Sequence, residues 1–395
     1  MLNSEGTTMP KKQYFHSIDG LRLIASVNIV LFHLVKIGGL YDMRGKPGWL
    51  FTILKGPAFH ASMFFILAGF IFTVKYAPYA RSFSTLTLVK NRLKDLYPLH
   101  ALTVFAMIPF VVMPWIQGQG QAAFGKLSLS AIMHLTLTWS FYPLNTYSFN
   151  TPSWALSAFF LCYLLFGPTL RIVSSIKKRK TILFALAATM MPSIIWSVLY
   201  ANIGKDGQYY FFHMFAPVRF FEFALGMCLA QLYTLNNSAR KATISKIGAR
   251  GNDALIVLCV SLIILNLRIG QIHGGITNWV TYHVIMLPLY AVLLYRFARG
   301  NGAIAKLFSL PFIQELGKSS FYPYLLHIPL ISWTCAILEN SLNYRTFLHS
   351  PVNICLFLVF LYGIGYMLRR LDPRRKRSTY RPPAKQIEDT EPVRA

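Results

Sequence analysis

Residues 18–37 read IDGLRLIASVNIVLFHLVKI, and this stretch decides the fold. Its length of about 20 residues is what an apolar helix needs to cross the hydrocarbon core of a bilayer. The polar residues before it show no cleavable signal pattern, so we expect a permanent membrane-spanning helix. Residues 1–17 are then predicted to be a short cytoplasmic segment at the N-terminus.

Nine further apolar stretches of similar length follow along the chain. Only 13% of the residues are charged and 54% are hydrophobic, whereas a soluble domain carries about 25% charged residues. The predicted fold class is therefore all-α, a polytopic bundle of about ten transmembrane helices. The predicted spans are 18–37, 58–76, 96–116, 153–170, 181–201, 212–234, 253–268, 278–297, 320–338 and 352–369.

The basic residues predict the orientation of this bundle. The net charge of +26 comes from Lys and Arg residues that cluster between the apolar stretches. Such clusters are typical of the cytoplasmic loops of membrane proteins, so the charge does not indicate nucleic-acid binding. An eleventh apolar stretch, 128–141, would turn the later basic loops outward if it crossed the membrane. We therefore expect it to be an interfacial or re-entrant segment, with both termini of the chain in the cytoplasm.

Composition also predicts the domain organisation. Residues 18–370 form the predicted transmembrane domain, and they contain no internal repeat. Residues 371–395 are first basic, then acidic, and include several prolines, which is typical of a disordered tail. The five cysteines all lie in apolar stretches without a CxxC pair, which indicates neither a disulfide framework nor a metal site.

The run IDGLRLIASVNIVLFH (18–33) of the first span carries three ionisable residues, Asp19, Arg22 and His33. Such residues are costly in a membrane and are therefore candidates for a functional site. Arg22 and His33 are eleven residues apart, which corresponds to three helical turns plus about 20° and a rise of about 16 Å. Both side chains are thus predicted on one face of the helix. Asp19 precedes Arg22 by one turn and can pair with it.

This spacing predicts an anchor and a base along one groove. Arg22, near the cytoplasmic end, would hold an anionic phosphate, and His33, deeper in the membrane, would act as a base. The extended thiol arm of coenzyme A has a comparable reach. The alternative interpretation is that Arg22 and His33 only snorkel towards opposite interfaces, which leaves Asp19 without a role.

A second basic segment, VKNRLKDLYP (89–98), precedes the third predicted span on the same side of the membrane. Arg92 and Lys94 are candidates to join Arg22 in holding phosphates, for which Arg is suited as a bidentate donor. The alternative is an ordinary anchor of the kind that the positive-inside rule describes.

Polar side chains of the later spans are candidates for a second, acceptor side of the same site. Arg219 and Glu222 are three residues apart and can form an ion pair, although such a pair can equally serve helix packing. His327 can equally be a hydrogen-bonded packing residue, and Trp154 an interfacial anchor. The acceptor-side candidates are Glu222, His327, Trp154, Ser157 and Tyr324.

Several of these motifs, in this order, resemble acyltransferase family 3, a family of membrane proteins. The first span matches the family's opening motif at Asp19, Gly20, Leu21, Arg22, Ala25 and His33. The other stretches that are similar to family motifs are FFILAGFIF (64–72), KNRLKDLYPLH (90–100), TPSWALS (151–157), PVRFFEFALGM (217–227) and LGKSSFYPYLLHIPL (316–330).

The resemblance implies a function and assigns roles to several residues. Proteins of this family have ten helices and move an acyl group, usually acetyl, from cytoplasmic acyl-coenzyme A to a hydroxyl of a cell-surface or lipid-linked carbohydrate. For this chain, it implies an enzyme of a bacterial inner membrane that binds no cofactor and uses acetyl-coenzyme A as its donor substrate. His33 and Arg22 would be the essential pair, and Arg92 a donor-binding residue.

Two positions depart from the family pattern. Ala68 stands where the family usually has Ser, and Phe159 stands where a Glu usually follows the Trp-Ser-Leu motif. The loss of that carboxylate bears on the acceptor side more than on the donor side. It is also the only support for a membrane scaffold without catalytic activity.

The leading hypothesis is O-acyl transfer. His33 would act as a general base or as a transient acyl carrier. The basic residues would hold the phosphates of the coenzyme, with Arg22 steadied by Asp19, and Glu222 or His327 would assist the acceptor.

The alternative is a proton-coupled exporter or flippase for a glycan or small solute, since charged residues within spans also suit transport. Against it, the sequence shows no repeat of the kind that many transporters have.

Overall fold

The structure, a computed structural model, is helical throughout the residues it describes, and it has no strand among them. Those residues are 14–37, 52, 61–118, 120–141, 149–203, 213–239, 248–273, 277, 280–341 and 350–372. The helices are α1 (His16–Ile37), α2 (Ala61–Tyr76), α3 (Thr85–Ala106), α4 (Ile108–Gly118), α5 (Gly120–Leu135), α6 (Trp154–Ser175), α7 (Arg179–Ile203), α8 (Ala216–Ala239), α9 (Ala249–His273), α10 (Met286–Arg299), α11 (Ala303–Leu307), α12 (Pro311–Ser319), α13 (Phe321–Ser341) and α14 (Pro351–Leu371).

Eight helices in the described part of the chain are long and apolar enough to cross a membrane. They are α1, α2, α6, α7, α8, α9, α13 and α14, and they coincide with eight of the ten predicted spans. The 3-10 turn Ala77–Tyr79 continues α2 and brings this span to 19 residues. The chain is therefore an integral membrane protein, and the predicted all-α, polytopic fold class is confirmed.

The other two predicted spans are divided into shorter pieces. The span 96–116 falls on α3 and α4, which meet at Met107. Pro109 lies two residues after Met107. It has no N–H to donate to the carbonyl of Phe105, and this missing hydrogen bond interrupts the helix. The span 278–297 includes a π-helical turn, Thr281–Ile285, ahead of α10, where Pro288 likewise cannot donate to the carbonyl of Val284.

The stretch 128–141, predicted to be interfacial or re-entrant, falls on the end of α5 and the turn that follows it. The helix has 16 residues, which is shorter than the roughly 20 needed to cross the hydrocarbon core. It ends near Leu137, whose φ of 56° lies in the left-handed region, and the single 3-10 turn Trp139–Phe141 follows. His100 of α3 contacts the carbonyl oxygen of His134 at 2.9 Å and so ties α5 to α3.

Helices α2 and α8 pack so closely that their backbones touch. A Cβ atom on Gly69 would overlap the carbonyl oxygen of Phe223, and a Cβ atom on Gly226 would overlap the carbonyl oxygen of Ile66. Small residues allow this close approach, which drives helix association where no hydrophobic effect operates between helices. The pair α2–α8 is thus the tightly packed centre against which α6 and α10 lie.

Helix α1 is held on its predicted cytoplasmic half by α10 and α12. The hydroxyl of Ser17 donates to the carbonyl oxygen of Phe297 at 2.7 Å. Gly317 of α12 faces the carbonyl oxygen of Asp19 with no room for a Cβ atom. These contacts bury the first turns of α1, so Asp19 lies inside the protein rather than in the lipid.

Two predictions fall largely outside the described residues. The predicted cytoplasmic segment 1–17 is described only from Tyr14 onward, and the predicted disordered tail 371–395 only as far as Asp372. The boundaries proposed for the transmembrane domain, 18–370, remain a prediction.

Candidate functional site

Asp19 and Arg22 form the ion pair that their spacing predicts. Nη1 of Arg22 donates to Oδ1 of Asp19 at 3.2 Å, and the Tyr14 hydroxyl donates to Oδ2 of the same carboxylate. Burial, together with the hydrogen bond to Asp19, raises the pKa of Tyr14 above its ordinary value, so this phenol stays a donor. Asp19 is 4% exposed, and 28% of the Arg22 side chain is exposed, so the guanidinium is the accessible partner.

His33 and His327 meet in a contact that their positions in the sequence do not predict. Nδ1 of His33 lies 3.3 Å from Nε2 of His327, and the ring centroids are 4.9 Å apart. His327 is fully buried, while His33 is half-buried. The contact joins the predicted outer half of α1 to the first half of α13.

Each imidazole is also held by a carbonyl group of its own helix. Nδ1 of His327 lies 2.7 Å from the carbonyl oxygen of Tyr324, and Nδ1 of His33 lies 3.0 Å from that of Ile29. A carbonyl only accepts, so in the neutral pair both Nδ1 atoms carry the proton. His327 then accepts from His33 through Nε2, and Nε2 of His33 is the basic nitrogen of the pair.

The face of α1 between Arg22 and His33 is held by α14 and by Ser320, the residue between α12 and α13. Ser26 is fully buried. It accepts from the Tyr362 hydroxyl at 2.7 Å and donates to the carbonyl oxygen of Ser320 at 3.4 Å. Arg22, Ser26 and His33 therefore follow one face that points towards neighbouring helices, as their spacing predicts.

The two donor-side candidates on α3 lie in different surroundings. Arg92 stacks over the Phe72 ring at 4.7 Å, and its Nη1 is 3.9 Å from Oδ2 of Asp95. Lys94 is exposed.

Three of the acceptor-side candidates are tied into the packing of α6 and α13. Ser157 donates to the carbonyl oxygen of Leu137 at 2.6 Å and accepts from the backbone N–H of Ser140 at 3.1 Å. The Tyr324 hydroxyl donates to the carbonyl oxygen of Pro152 at 2.9 Å. Trp154, for which an interfacial anchor was the alternative, is only 5% exposed.

Arg219 and Glu222 pair as predicted, deep inside the described part of the protein. Each side chain is 1% exposed, and Nη1 of Arg219 lies 2.5 Å from Oε1 of Glu222. Ser62 of α2 joins them by donating to Oε1 of Glu222 at 3.0 Å and accepting from Arg219 at 3.1 Å. Oε2 of Glu222 is buried and has no hydrogen-bond partner among the described residues.

Two histidines complete this buried network, and sequence reasoning did not single them out. Nε of Arg219 donates to the carbonyl oxygen of His213 at 2.8 Å, and Nη2 lies 3.3 Å from Nδ1 of His283. The Trp154 ring covers the same guanidinium at 5.6 Å. His213 and His283 lie near the ends of predicted spans, where an exposed position is the ordinary expectation. Their separation in sequence hides the contact between them, at 3.5 Å.

Phe159, one of the two departures from the family pattern, fills its position with aromatic packing. Its ring stacks on Phe65 of α2 at 4.3 Å and on Tyr163 at 6.0 Å. The residue therefore joins α2 to α6 by apolar contact, and it leaves Glu222 as the buried carboxylate of this region among the described residues.

Comparison with known proteins finds matches to acyltransferases. A family model described as an acyltransferase domain, that of acyltransferase family 3, matches residues 15–370. A Staphylococcus aureus (strain COL) protein named "Putative O-acetyltransferase" is 25% identical over 361 residues, covering 84% of this chain and 53% of the relative. The peptidoglycan O-acetyltransferase OatA of Listeria monocytogenes is 21% identical over 354 residues, covering 84% and 52%.

A shorter match is the acyltransferase MdmB of Streptomyces mycarofaciens, which is 28% identical over 235 residues, covering 56% of this chain and 58% of the relative. The chain thus spans about half the length of the curated relatives it matches. No solved structure matches.

Proposed function

Because this chain belongs to acyltransferase family 3, we propose that it is a membrane O-acyltransferase. Its proposed reaction moves an acyl group, most simply acetyl, from acyl-coenzyme A to a hydroxyl of a carbohydrate. The observation that carries this proposal is the His33–His327 contact at 3.3 Å. Together with the carbonyl oxygen of Ile29, it holds the Nδ1–H of a histidine that stands on the same helix face as an accessible arginine.

In the proposed step, Nε2 of His33 takes the proton of the acceptor hydroxyl as its oxygen attacks the thioester carbonyl. The tetrahedral intermediate then collapses, the carbon–sulfur bond breaks, and the coenzyme thiolate leaves with the proton from His33. While His33 is cationic, its Nδ1–H donates to Nε2 of His327. His327 is thus a positioning residue, which acts through His33 rather than on the substrate.

On the donor side, Arg22 and Arg92 are proposed to bind the phosphates of acyl-coenzyme A. Arginine offers a planar set of donors that suits phosphate. The rise from Arg22 to His33 is about 16 Å, which is on the scale of the extended arm between the nucleotide and the thioester. Asp19 would orient Arg22, and exposed Lys94 would add a weaker contribution at the entrance.

On the acceptor side, we retain Glu222 and Trp154 and leave out Ser157, whose hydrogen bonds are used within the protein. Oε2 of Glu222 has no partner among the described residues, so a carbohydrate hydroxyl could donate to it. An aromatic ring such as Trp154 offers an apolar face to a sugar. The ring of Tyr324 lies 6.1 Å from that of His327 and 6.0 Å from that of Phe64 of α2.

The proposed location is the inner membrane of a bacterium. The S. aureus and L. monocytogenes proteins carry O-acetyltransferase names, and the latter name specifies peptidoglycan. We propose a carbohydrate acceptor of the cell surface on that basis, without assigning peptidoglycan to this chain.

The direct test reconstitutes the purified protein into vesicles with acetyl-coenzyme A and extracted cell-surface glycans, and follows glycan acylation by mass spectrometry. His33→Gln should lower the rate by at least about 100-fold, the usual contribution of a general base. The matched control is His16→Gln on the same helix, an exposed histidine bonded to Gln314, which should keep the wild-type rate. Full activity of His33→Gln would contradict the assignment, and glycan movement without acylation would favour the transport alternative.

A further inference from the structure

A lateral groove of about 540 Å³ lies between α1 and α9, away from the site described above. Leu21, Ala25 and Asn28 form its wall on α1, and Val257, Val260 and Ile264 are among the residues that form its wall on α9. Arg22 and His33 are turned about 120° away from this wall on the α1 surface. The groove is therefore not part of the proposed catalytic face.

The groove opens sideways to the membrane, among the residues that the structure describes. Ile24 and Val257 on its two rims are 46% and 55% exposed, and nearly all of the residues lining it are apolar. In a chain that spans a bilayer, such surface faces hydrocarbon. The ligand that suits this groove is therefore a lipid acyl chain rather than a dissolved solute.

The length of the groove matches a single leaflet. Along α9 it extends from Ile256 to Leu267, a rise of about 16 Å. That is about half of the roughly 30 Å hydrocarbon core. A partner helix that crosses the membrane would need the full thickness, whereas a lipid chain of one leaflet needs half.

Two exposed basic residues lie at the predicted cytoplasmic end of the groove. Arg250 is seven residues before Val257, so it lies on the same face of α9, two turns nearer to the cytoplasm. Lys306 lies between Ile304 and Phe308, which both line the groove, and both basic side chains are exposed.

The acidic residue nearest to them in sequence, Asp253, is already engaged. Its carboxylate accepts from the backbone N–H groups of Ala303 at 2.7 Å and Ile304 at 3.1 Å, where it caps α11. With two basic side chains and one carboxylate, the end of the groove keeps a net positive charge at the predicted depth of the lipid headgroups. Basic residues at such a position attract anionic headgroups.

We infer that this groove binds one anionic phospholipid of the inner leaflet. One acyl chain lies along α9 between Val257 and Leu267, and the phosphate of the headgroup contacts Arg250 and Lys306. The site requires no catalytic activity and stands independently of the proposed acyl transfer.

The test uses the full chain in nanodiscs that contain equal amounts of phosphatidylglycerol and phosphatidylcholine, followed by native mass spectrometry of the lipids retained. The wild type should retain phosphatidylglycerol in preference to phosphatidylcholine by at least roughly five-fold, the scale of one basic residue near an anionic headgroup. Arg250→Gln with Lys306→Gln should abolish this preference. These side chains are exposed, so the fold should be retained.

A second pair of variants tests the groove itself. Ser261→Trp places an indole in the groove and should remove one retained lipid. The matched control is Leu262→Trp, at the adjacent position, which is 40% exposed and does not line the groove; it should retain lipid as the wild type does. Equal retention of the two lipids by the wild type would overturn the inference. Equal numbers of retained lipids in the two Trp variants would overturn it too. So would an isoprenoid-linked lipid that is carried through purification and occupies the groove in place of the phospholipid.

Discussion

Nδ1 of His33 lies 3.3 Å from Nε2 of His327, and this contact joins two helices that are separated by most of the chain. Both imidazoles also face a carbonyl oxygen, of Ile29 at 3.0 Å and of Tyr324 at 2.7 Å. A base that is held in one tautomer by packing and by a second layer of hydrogen bonds needs little reorganisation during a reaction. We therefore propose different roles for these two histidines, with His33 as the base and His327 as its positioning residue.

Replacing His327 by Leu should lower kcat of acyl transfer by about 100-fold, the lower end of what general-base catalysis contributes. The reason is that the His33 Nδ1–H keeps the carbonyl oxygen of Ile29 as an acceptor but loses Nε2 of His327, which stabilises the cation that forms on His33 during the reaction. KM for acetyl-coenzyme A should stay close to the wild-type value, because the donor contacts are elsewhere. Steady-state kinetics in vesicles would measure both constants.

The conservative variant His327→Gln separates positioning from packing. A glutamine oxygen can accept from His33, so this variant should recover a substantial part of the rate that His327→Leu loses. A variant of Tyr324, Tyr324→Phe, removes only the bond to the carbonyl of Pro152 and should change kcat little. Equal rates for His327→Gln and His327→Leu would argue for a purely structural role of His327.

The sequence predicted the features of the site that lie within one helix. Asp19 pairs with Arg22 because residues three apart are neighbours on a helix. The same rule predicts Arg219–Glu222. Eight of the ten predicted spans are also confirmed as long apolar helices, because the length and hydropathy of a stretch are properties of the local sequence.

Contacts between helices could not be predicted in this way. The neighbour of His33 depends on how α1 and α13 are placed, and hydrophobic spacing contains no such information. The same holds for His213 and His283, whose positions at span ends concealed their contact with Arg219. Trp154 was ambiguous for a related reason: an aromatic residue at a span end anchors at the interface unless another helix covers it.

Arg22→Gln should raise KM for acetyl-coenzyme A by roughly ten-fold or more, since a hydrogen bond to a charged group contributes about 1.5–3 kcal/mol. kcat should change only a few-fold, because Arg22 is remote from the reacting carbonyl. With acetyl-pantetheine, which lacks the nucleotide phosphates, Arg22→Gln and the wild type should act alike. A comparable loss with both donors would show that Arg22 does not act on the phosphates. The control is Lys94→Gln, at an exposed position, which should change KM for acetyl-coenzyme A only slightly.

Arg219→Leu should destabilise the protein by about 3–5 kcal/mol, because it leaves Glu222 as a buried charge without its partner. The double variant Arg219→Leu with Glu222→Leu should be more stable than the single variant, since no uncompensated charge remains. Thermal unfolding in detergent, followed by circular dichroism, would compare the two. Lys178→Gln, at an exposed position, should leave the midpoint unchanged. If the double variant were the less stable one, the unpaired charge of Glu222 would be ruled out as the main cause of the destabilisation in Arg219→Leu.

Glu315 should make the stability of the helix α12–α14 contact depend on pH. Burial alone would raise the pKa of this carboxyl, but hydrogen bonds from Arg369 and Lys318 outweigh it and lower the pKa to about 2. Oε2 of Glu315 lies 2.8 Å from Nη1 of Arg369, and Oε1 lies 3.1 Å from Nζ of Lys318. Because the pKa in the folded state is depressed, the stabilisation is fully present above the ordinary pKa of 4.5. It is lost as the pH falls from there towards 2.

Glu315→Gln should therefore unfold at a lower temperature than the wild type at pH 7, by an amount that corresponds to roughly 0.5–1 kcal/mol for a partly exposed ion-pair cluster. The difference between the two midpoints should shrink steadily as the pH falls from 4.5 towards 2, because Glu315 of the unfolded wild type takes up a proton there while the folded protein keeps the charge down to about pH 2. Arg370→Gln removes a longer contact, at 3.5 Å, and should show the same trend with a smaller amplitude. A difference that stays constant from pH 7 to pH 3 would mean that Glu315 acts through packing and not through its charge.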